Sequence, residues 1–283
     1  MKNIIILILL SFLFLWTACG NLEQEIDLEL PEYEPKIVVE CYLEPGQPFA
    51  LLLTKSQSFF DPFDFELATI SQILEDSATV IITHNGITYE LENEIATNPP
   101  FFTKFYNYSS ETLVPLDYEN EFDLEIVSKN NEVITATTRL LPPITIDSLV
   151  VDFDPITDTL ARTLTYFQDD LTTEDYYRRQ LNLGTITRAP QQDFTTTDDF
   201  VEDGTIVFGG GYDFEIGDTV ISTITHITKE YHDFLESISG AVDVNGNPFG
   251  QPGGIISNVE SDIGALGIFT GISYDRIQVV VEK

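Results

Sequence analysis

Apolar and polar residues alternate along several short segments of the chain, as they do in strands with one buried face. In Ile37–Leu43 the odd-numbered positions share one face, whereas Glu40 lies on the other. Cys41 falls on the apolar face, so we expect it to be a small buried hydrophobe and not a nucleophile. The apolar run Pro48–Thr54 predicts the next strand.

Asn85-Gly86 is the strongest local signal, because this pair is preferred in the two-residue type I′ turn of a β-hairpin. A hairpin over Thr79–Glu92 then places three pairs of residues on the face expected to be buried: His84 with Ile87, Ile82 with Tyr89, and Val80 with Leu91. His84 falls at the rim of that face beside the turn, where we expect a structural role and not a ligand role.

A second hairpin is predicted over Glu121–Leu140. A two-residue loop would set its apolar residues opposite polar ones. A loop of odd length centred on Asn130 instead brings apolar residues together in two pairs: Ile126 with Ile134, and Leu124 with Ala136. We therefore expect a three- or five-residue connection with a bulge.

Pro142-Pro143 ends this arm and predicts a domain boundary, because a double proline cannot continue a ladder of backbone hydrogen bonds. Five strands are predicted beyond it: Ile144–Phe153, Thr163–Phe167, Tyr176–Leu183, Asp218–Ile227 and Ile277–Val281. Apolar residues at helical spacing predict one helix over Thr228–Ser239, with Thr225 or Thr228 as its cap and Gly240 as its end.

Short strands with one helix indicate an all-β fold. We predict two tandem immunoglobulin- or fibronectin-like β-sandwiches, over residues 32–143 and 144–283, the second with one inserted helix near residues 228–239. The length of 283 residues is enough for one large or two ordinary domains, of which we favour two. Hydrophobic residues make up 43% of the chain, which is enough to form packed cores.

The amino terminus carries a targeting signal. Lys2 precedes an apolar run that is too short to span a bilayer, as in a secretory signal peptide, which we assign to residues 1–18. Thr17-Ala18-Cys19 resembles the lipobox of bacterial lipoproteins, in which the signal peptidase cuts before the cysteine and the thiol carries a lipid. The resemblance implies lipid attachment at Cys19, followed by an acidic tether over residues 19–31. The alternative is an ordinary secreted protein with a plain thiol at Cys19.

The chain is strongly acidic, with 47 acidic and 13 basic residues and a formal charge of −34. Nucleic acids and anionic lipid surfaces need basic patches, so this charge argues against both as partners. The two cysteines of the chain are Cys19 and Cys41, so lipid attachment at Cys19 leaves Cys41 without a disulfide partner.

Catalytic and cofactor motifs are not evident in the sequence. His84, His226 and His232 lack the spacing of a zinc motif, and Gly209–Gly211 is not followed by the Lys-Ser/Thr of a phosphate-binding loop. We therefore predict a non-enzymatic protein with no cofactor beyond its covalent lipid. Acidic loops could hold calcium through hard oxygen ligands, although solvated loops are the simpler interpretation. The candidates form two separate clusters: Asp152, Asp154 and Asp158, or Asp198, Asp199, Glu202 and Asp203.

Two clusters of aromatic residues lie in proline-bearing segments without strand alternation: Phe59, Phe60, Phe63 and Phe65, and Phe101, Phe102, Phe105, Tyr106 and Tyr108. Such segments should be loops, in which aromatic rings bury less easily. Because exposed aromatic residues mark partner surfaces, both clusters are candidate partner-binding surfaces. The alternative is that both loops fold back over the end of a sandwich.

Several of these features occur in a distinctive order. They are the lipobox, Ile37–Leu43, Glu121–Thr138, Asp175–Arg178, Gly217–Val220, Lys229–Leu235, Asn247–Phe249, Ser257–Val259 and Gly264–Phe269. In this order they resemble a Bacteroidota family of outer-membrane lipoproteins known only as a domain of unknown function, family 4249, whose members are often encoded beside TonB-dependent transporters. The resemblance spans nearly the whole mature chain and implies a location and a neighbour, not a reaction.

This resemblance implies a lipid-anchored protein of the outer membrane, exposed at the cell surface if the acidic tether is an export signal and not merely a solvated linker. We expect an accessory subunit of a TonB-dependent transport complex. The alternative is a free-standing surface module that binds glycan or peptide, and a hydrolase built on paired acids is a third hypothesis. Four short motifs also resemble the O-glycosylation acceptor of Bacteroidota, with the acceptor residues Ser77, Ser148, Thr159 and Thr219.

Overall fold

A computed structural model describes residues 33–57, 72–94, 96–98, 104–199, 201, 203–244 and 254–283. The predicted signal peptide, Cys19 and the acidic tether lie outside these residues. The strands are β1 (Ile37–Leu43), β2 (Pro48–Lys55), β3 (Thr79–His84), β4 (Ile87–Leu91), β5 (Ala96–Asn98), β6 (Lys104–Tyr106), β7 (Tyr108–Leu113), β8 (Phe122–Val127), β9 (Val133–Thr138), β10 (Ile146–Phe153), β11 (Leu160–Gln168), β12 (Tyr176–Leu183), β13 (Gln192–Thr197), β14 (Thr205–Phe208), β15 (Phe214–Glu215), β16 (Thr219–Ile227), β17 (Glu260–Ser261), β18 (Leu266–Gly271) and β19 (Ser273–Val280). A helix, α1, spans Lys229–Val244. None of the helices in the described part of the chain has the length and apolar character needed to cross a membrane.

The predicted all-β class is confirmed, and the first sandwich is built from two facing sheets. One sheet has the strand order β18-β1-β2-β7 and the other β17-β9-β8-β3-β4. Alternate residues of these strands point into a shared core, in which Val39, Leu51, Ile82 and Ile126 are fully buried. Cys41 is buried on the same face of β1, and this burial raises the pKa of its thiol.

The hairpin of β3 and β4 has the predicted register, in three pairs: Val80 with Leu91, Ile82 with Tyr89, and His84 with Ile87. Asn85 and Gly86 have φ angles of 50° and 75°, as a type I′ turn requires. Ile87, which we expected to be buried, is 56% exposed because it begins the edge strand β4 directly after the turn. The buried His84 ring stacks on Phe122, with the ring centroids 3.9 Å apart.

The second predicted hairpin, β8–β9, is also confirmed in register, with two expected pairs: Leu124 with Ala136, and Ile126 with Ile134. The connection has odd length, because the N–H of Ser128 donates to the carbonyl of Glu132 at 2.9 Å. Asn131 within it has a φ of 62°, a left-handed conformation that asparagine tolerates.

The carboxy-terminal part of the chain returns to the first sandwich. Strand β18 pairs in parallel with β1, from Val38 opposite Leu266 to Leu43 opposite Gly271, and β17 pairs with β9. The predicted division at Pro142-Pro143 did not anticipate this return. Leu266–Gly271 lacks alternation because both faces of β18 are buried, so its sequence gave no strand signal.

The second sandwich also pairs two sheets. One has the order β10-β11-β14, with β15 also bonded to β11, and the other has the order β13-β12-β16-β19. Its interior holds two apolar clusters, one around Phe167 and Tyr177 and one around Phe214 and Val220. Between the residues of these clusters, the inward-facing positions are polar and buried: Thr163, Thr165, Arg179 and Ser222.

Helix α1 packs against both sandwiches. Tyr231 and Phe234 contact Tyr176 of the second sandwich and Ile268 of the first. Thr228 caps the helix, since its Oγ1 accepts the N–H of Tyr231 at 3.3 Å. The predicted end at Gly240 is wrong: the helix continues to Val244, because glycine lowers helix stability without preventing the helical conformation.

Candidate functional site

Phe105 and Tyr106 of the second aromatic cluster lie on a small hairpin that we call the aromatic hairpin, residues 96–106, and Tyr108 begins β7 directly after it. Its strands β5 and β6 pair Ala96 with Tyr106, Thr97 with Phe105, and Asn98 with Lys104. Phe101 and Phe102 fall in the connection between them, outside the described residues, as do Phe59, Phe60, Phe63 and Phe65 of the first cluster.

The aromatic residues of this cluster point in different directions. Phe105 is 46% exposed, whereas Tyr106 and Tyr108 are 4% and 1% exposed. Successive residues of a strand face opposite sides, so Phe105 lies on the exposed face of the hairpin and Tyr106 on its buried face. Tyr106 and Tyr108, which we expected at a partner surface, therefore anchor the hairpin in the protein instead.

Asn107 fixes the base of the aromatic hairpin. Its Oδ1 accepts the N–H of Leu53 at 2.8 Å, and its Nδ2 donates to the carbonyls of Leu53 and Glu75 at 3.0 and 3.1 Å. Tyr108 adds a further contact, because its hydroxyl accepts the N–H of Ala78 at 3.0 Å. Asn107 was missed in the sequence, where a single asparagine between tyrosines gives no sign of its buried partners.

An acidic cavity of about 650 Å³ adjoins this base. Its wall includes Tyr106 and the four glutamates Glu90, Glu92, Glu94 and Glu111. All four glutamates are exposed, so they attract basic groups over a short range in salt solution. Tyr106, the buried residue that follows the exposed Phe105 in β6, thus also lines this acidic cavity.

A second cavity, of about 780 Å³, is lined by residues of both sandwiches, including Arg139 and Asp175. His226 also lines this cavity and contacts Pro142 and Asp175. Its Nδ1 lies 2.9 Å from the carbonyl of Pro142, and its Nε2 lies 3.0 Å from Oδ1 of Asp175. The histidine has polar partners at both nitrogens, which is a structural arrangement. His232 lies on α1 beside Asp233 and the ring of Tyr176.

Three carboxylates come together next to this cavity: Asp169, Asp175 and Asp198 offer oxygens that lie within 4.8 Å of one another. Burial raises the pKa of Asp169. The hydroxyl of Tyr177 donates to its carboxylate and opposes this rise, and the nearby carboxylates of Asp198, Asp175 and Asp170 raise the pKa further. Hard oxygen ligands at this spacing suit a divalent cation in chemical type.

The acidic loops predicted to hold calcium are arranged differently. Only Asp198 belongs to the cluster of three carboxylates. Asp152, Asp154 and Asp158 contact Arg162, the N–H of Ile156 and Lys283, respectively. Asp199 contacts Thr197, Asp203 accepts the N–H of Thr205, and Glu202 lies outside the described residues.

The possible O-glycosylation sites differ in their surroundings. Ser77 and Thr159 are exposed and lie outside the strands, so their hydroxyls are accessible. Ser148 and Thr219 are partly buried within β10 and β16, where each residue has a partner strand. The two exposed positions are the better acceptors on accessibility alone.

The described residues define an all-β protein of two paired-sheet sandwiches with one helix packed against both. The chain belongs to the family described as "Domain of unknown function (DUF4249)", whose profile matches residues 23–278. The match begins four residues after Cys19 and reaches into β19. No curated protein matches the chain.

Proposed function

We propose that the protein is a lipid-anchored lipoprotein of the outer membrane that acts, without catalysis of its own, as an accessory subunit of a TonB-dependent transport complex. The lipobox ending at Cys19 supports the anchor. The observation that carries the partner-binding role is the exposed Phe105 on a hairpin whose base is fixed by buried residues.

A fixed base matters for affinity, because binding costs less when the contacting group is already ordered. The hydrogen bonds of Asn107 and Tyr108 hold the hairpin in one orientation before any partner arrives. Exposed aromatic side chains are common anchors of protein interfaces, and their removal costs about 2 kcal/mol or more at the centre of an interface. The neighbouring glutamates would add selectivity for a partner with lysine or arginine around its contact site.

Co-purification tests this role. The native protein is extracted from membranes in mild detergent, and the proteins that purify with it are identified. We expect Phe105→Ser to leave the fold intact and to reduce recovery of the transporter. Ile156→Ser is the matched control, because Ile156 is 90% exposed but lies in the second sandwich. Unchanged recovery with Phe105→Ser, or equal loss in both variants, would contradict the proposed surface.

The anchor is tested separately with Cys19→Ala. A lipid chain contributes about 0.8 kcal/mol for each buried CH₂ group, so the native protein should stay with the membrane fraction in high salt. The variant should be released. Retention of the variant in the membrane fraction would overturn the lipoprotein assignment. Protease added to intact cells distinguishes a protein at the cell surface, which is digested, from one facing the periplasm, which is protected.

A free-standing surface module that binds glycan or peptide is the second candidate, favoured by the same exposed ring, which could stack on a sugar. Calorimetry with the purified protein and a panel of surface polysaccharides separates the two. Binding that disappears in Phe105→Ser, together with unchanged recovery of the transporter, would favour the module over the subunit.

A further inference from the structure

Strand β4 has an open edge among the residues that the structure describes. It is the last strand of the sheet β17-β9-β8-β3-β4, so in that sheet it has a neighbour only on the side of β3. Ile87, Thr88 and Glu90 are exposed, so solvent reaches this edge. An edge strand presents backbone N–H and C=O groups that can pair with another extended chain.

The turn before β4 determines which of its backbone groups point outward. His84 and Ile87 flank a two-residue turn, so they form a pair that exchanges both backbone hydrogen bonds. Such pairs alternate along an antiparallel ladder. The backbone groups of Thr88, Glu90 and Glu92 therefore point away from β3.

The end of β4 shows that this outward side can pair with a strand. The N–H of Glu92 donates to the carbonyl of Ser109 at 2.8 Å, and the N–H of Ser109 donates to the carbonyl of Glu92 at 2.9 Å. This antiparallel bridge to β7 stops at Glu92. In the described part of the chain, no strand pairs with the same side of Thr88 and Glu90.

The outer face beside this edge is acidic. Glu90 and Glu92 line the cavity of about 650 Å³ together with Glu94 and Glu111, and no lysine or arginine is among the described residues of its wall. Residues that are directly opposite in paired strands share a face, so a chain paired with β4 places alternate side chains beside these carboxylates. Lysine or arginine at those positions complements their charge.

The inner face of the same edge is apolar. Tyr89 packs against Phe49, with the ring centroids 4.7 Å apart. Ile87, on the same face, is 56% exposed. An apolar residue of an added strand would cover Ile87 and remove apolar surface from water. The two faces together select a segment in which basic and apolar residues alternate.

We propose that β4 binds an extended segment of a partner protein, with basic and apolar residues in alternation, as an added antiparallel strand. Its basic side chains lie opposite Thr88 and Glu90 and reach the acidic cavity, and its apolar side chains lie opposite Ile87 and Tyr89. The formal charge of −34 disfavours a second copy of this chain as the occupant. This inference rests on the proposed partner-binding role and specifies the chemistry of the segment that is bound.

Fluorescence anisotropy with the purified full-length protein in neutral detergent tests the proposal. The probe is a labelled seven-residue peptide in which lysine and valine alternate. We expect saturable binding that weakens as salt is added, because salt screens exposed charges. One control peptide has the same composition with its lysines in one block, and the other has glutamate in place of lysine. Absence of binding by the alternating peptide, or equal binding of the two lysine peptides, would overturn strand addition.

Methylated peptides test the backbone pairing without any change to the protein. In the proposed antiparallel pair the lysines lie opposite Thr88 and Glu90, so the lysine N–H groups point to β4 and the valine N–H groups point to solvent. Methylation of the lysine backbone nitrogens should abolish binding, whereas methylation of the valine nitrogens should preserve it. Equal effects of the two methylations would overturn the pairing.

Variants of the edge test the protein side. Thr88→Pro removes an outward N–H group and should abolish binding, whereas Thr88→Val keeps that N–H and should bind as the native protein does. Glu90→Gln should weaken binding about two- to fivefold, as expected for an exposed ion pair. Glu215→Gln is its matched control, because Glu215 is exposed in the second sandwich. Binding of the alternating peptide that is unchanged in Thr88→Pro would overturn the site on β4.

Recovery of the transporter distinguishes this inference from the proposed function. Reduced recovery in Thr88→Pro, with normal recovery in Thr88→Val, would support both. If the alternating peptide does not bind but Phe105→Ser still reduces recovery, the strand addition is wrong and the subunit role stands. If the peptide binds through Thr88 while neither Phe105→Ser nor Thr88→Pro changes recovery, the subunit role is wrong and the binding edge stands.

Discussion

Gly267 lies directly opposite Val39 in the parallel pair of β18 and β1, and a Cβ on Gly267 would lie 1.9 Å from the Val39 carbonyl oxygen. The φ angle of Gly267 is 136°, which is unfavourable for other residues. The carboxy-terminal segment can therefore join the first sandwich only through a residue without a side chain.

Gly267→Ala should destabilise the protein, because the added methyl group meets backbone atoms that cannot move without breaking the pairing of β1 and β18. We expect a loss of about 3 kcal/mol or more, as for overpacking combined with backbone strain. Urea unfolding followed by circular dichroism measures this loss. Gly240→Ala is the control: Gly240 is in α1 with no atoms near its Cβ position, so alanine there should stabilise the protein by about 0.5–1 kcal/mol. If Gly267→Ala lowers the free energy of unfolding by no more than Gly240→Ala raises it, the close approach of Gly267 to the backbone of Val39 is not maintained in solution.

The β3–β4 hairpin yields a comparison of two isoleucines. Ile82 is fully buried in the first core, whereas Ile87 is 56% exposed beside the turn. Ile82→Ala should cost about 2–5 kcal/mol because it removes buried methyl groups and leaves a cavity. Ile87→Ala should change the free energy of unfolding by about 0.5 kcal/mol or less. Similar losses in the two variants, measured by thermal unfolding, would contradict the register.

Asn107 supports the first sandwich as well as the aromatic hairpin. Asn107→Ala leaves the buried N–H of Leu53 without its side-chain acceptor. It also removes the hydrogen bonds that Nδ2 donates to the carbonyls of Leu53 and Glu75 and to Oδ1 of Asp76. We expect a loss of about 2–3 kcal/mol, since a buried unpaired polar group costs more than an average hydrogen bond contributes. Asn130→Ala is the control in an exposed turn and should be nearly neutral. Limited proteolysis should also cut the hairpin faster in Asn107→Ala, and equal cleavage rates would show that Asn107 does not fix its base.

Asp169 and Asp170 are neighbours with opposite pKa shifts. Burial raises the pKa of Asp169, so its ionisation opposes folding: this penalty is absent at low pH and appears as the pH rises through the raised pKa. Hydrogen bonds from Thr172 lower the pKa of Asp170, so its charged form stabilises the fold above the unfolded pKa, and this contribution is lost as the pH falls. Relative to the native protein, Asp169→Asn should gain stability from acidic to neutral pH, whereas Asp170→Asn should lose stability over the same change. Parallel stability-against-pH curves for the two variants would show that the cluster of carboxylates is not assembled in solution.

Local patterns in the sequence predicted the pairings between strands that are close in the chain. Asn85-Gly86 determined the register of β3 and β4, because the turn conformation fixes which residues are opposite. The alternation in Ile37–Leu43 likewise predicted the burial of Cys41. Such inferences succeed because a turn and a period of two act over a few residues and depend little on the rest of the fold.

The tertiary structure alone decided the contacts between distant segments. Asp169 and Asp175 lie at the two ends of the connection between β11 and β12, and Asp198 begins the connection between β13 and β14. No spacing in the sequence identifies the three as a group. Tyr106 and Tyr108 belong to a segment whose composition predicted an exposed loop, but both side chains are buried. Asn107 between them forms hydrogen bonds with Leu53 of β2, which hold this segment against the sheet. Composition determines how much apolar and charged surface a chain carries, whereas the packing of sheets on one another determines which rings are covered and which charges, such as that of Arg179, are left inside.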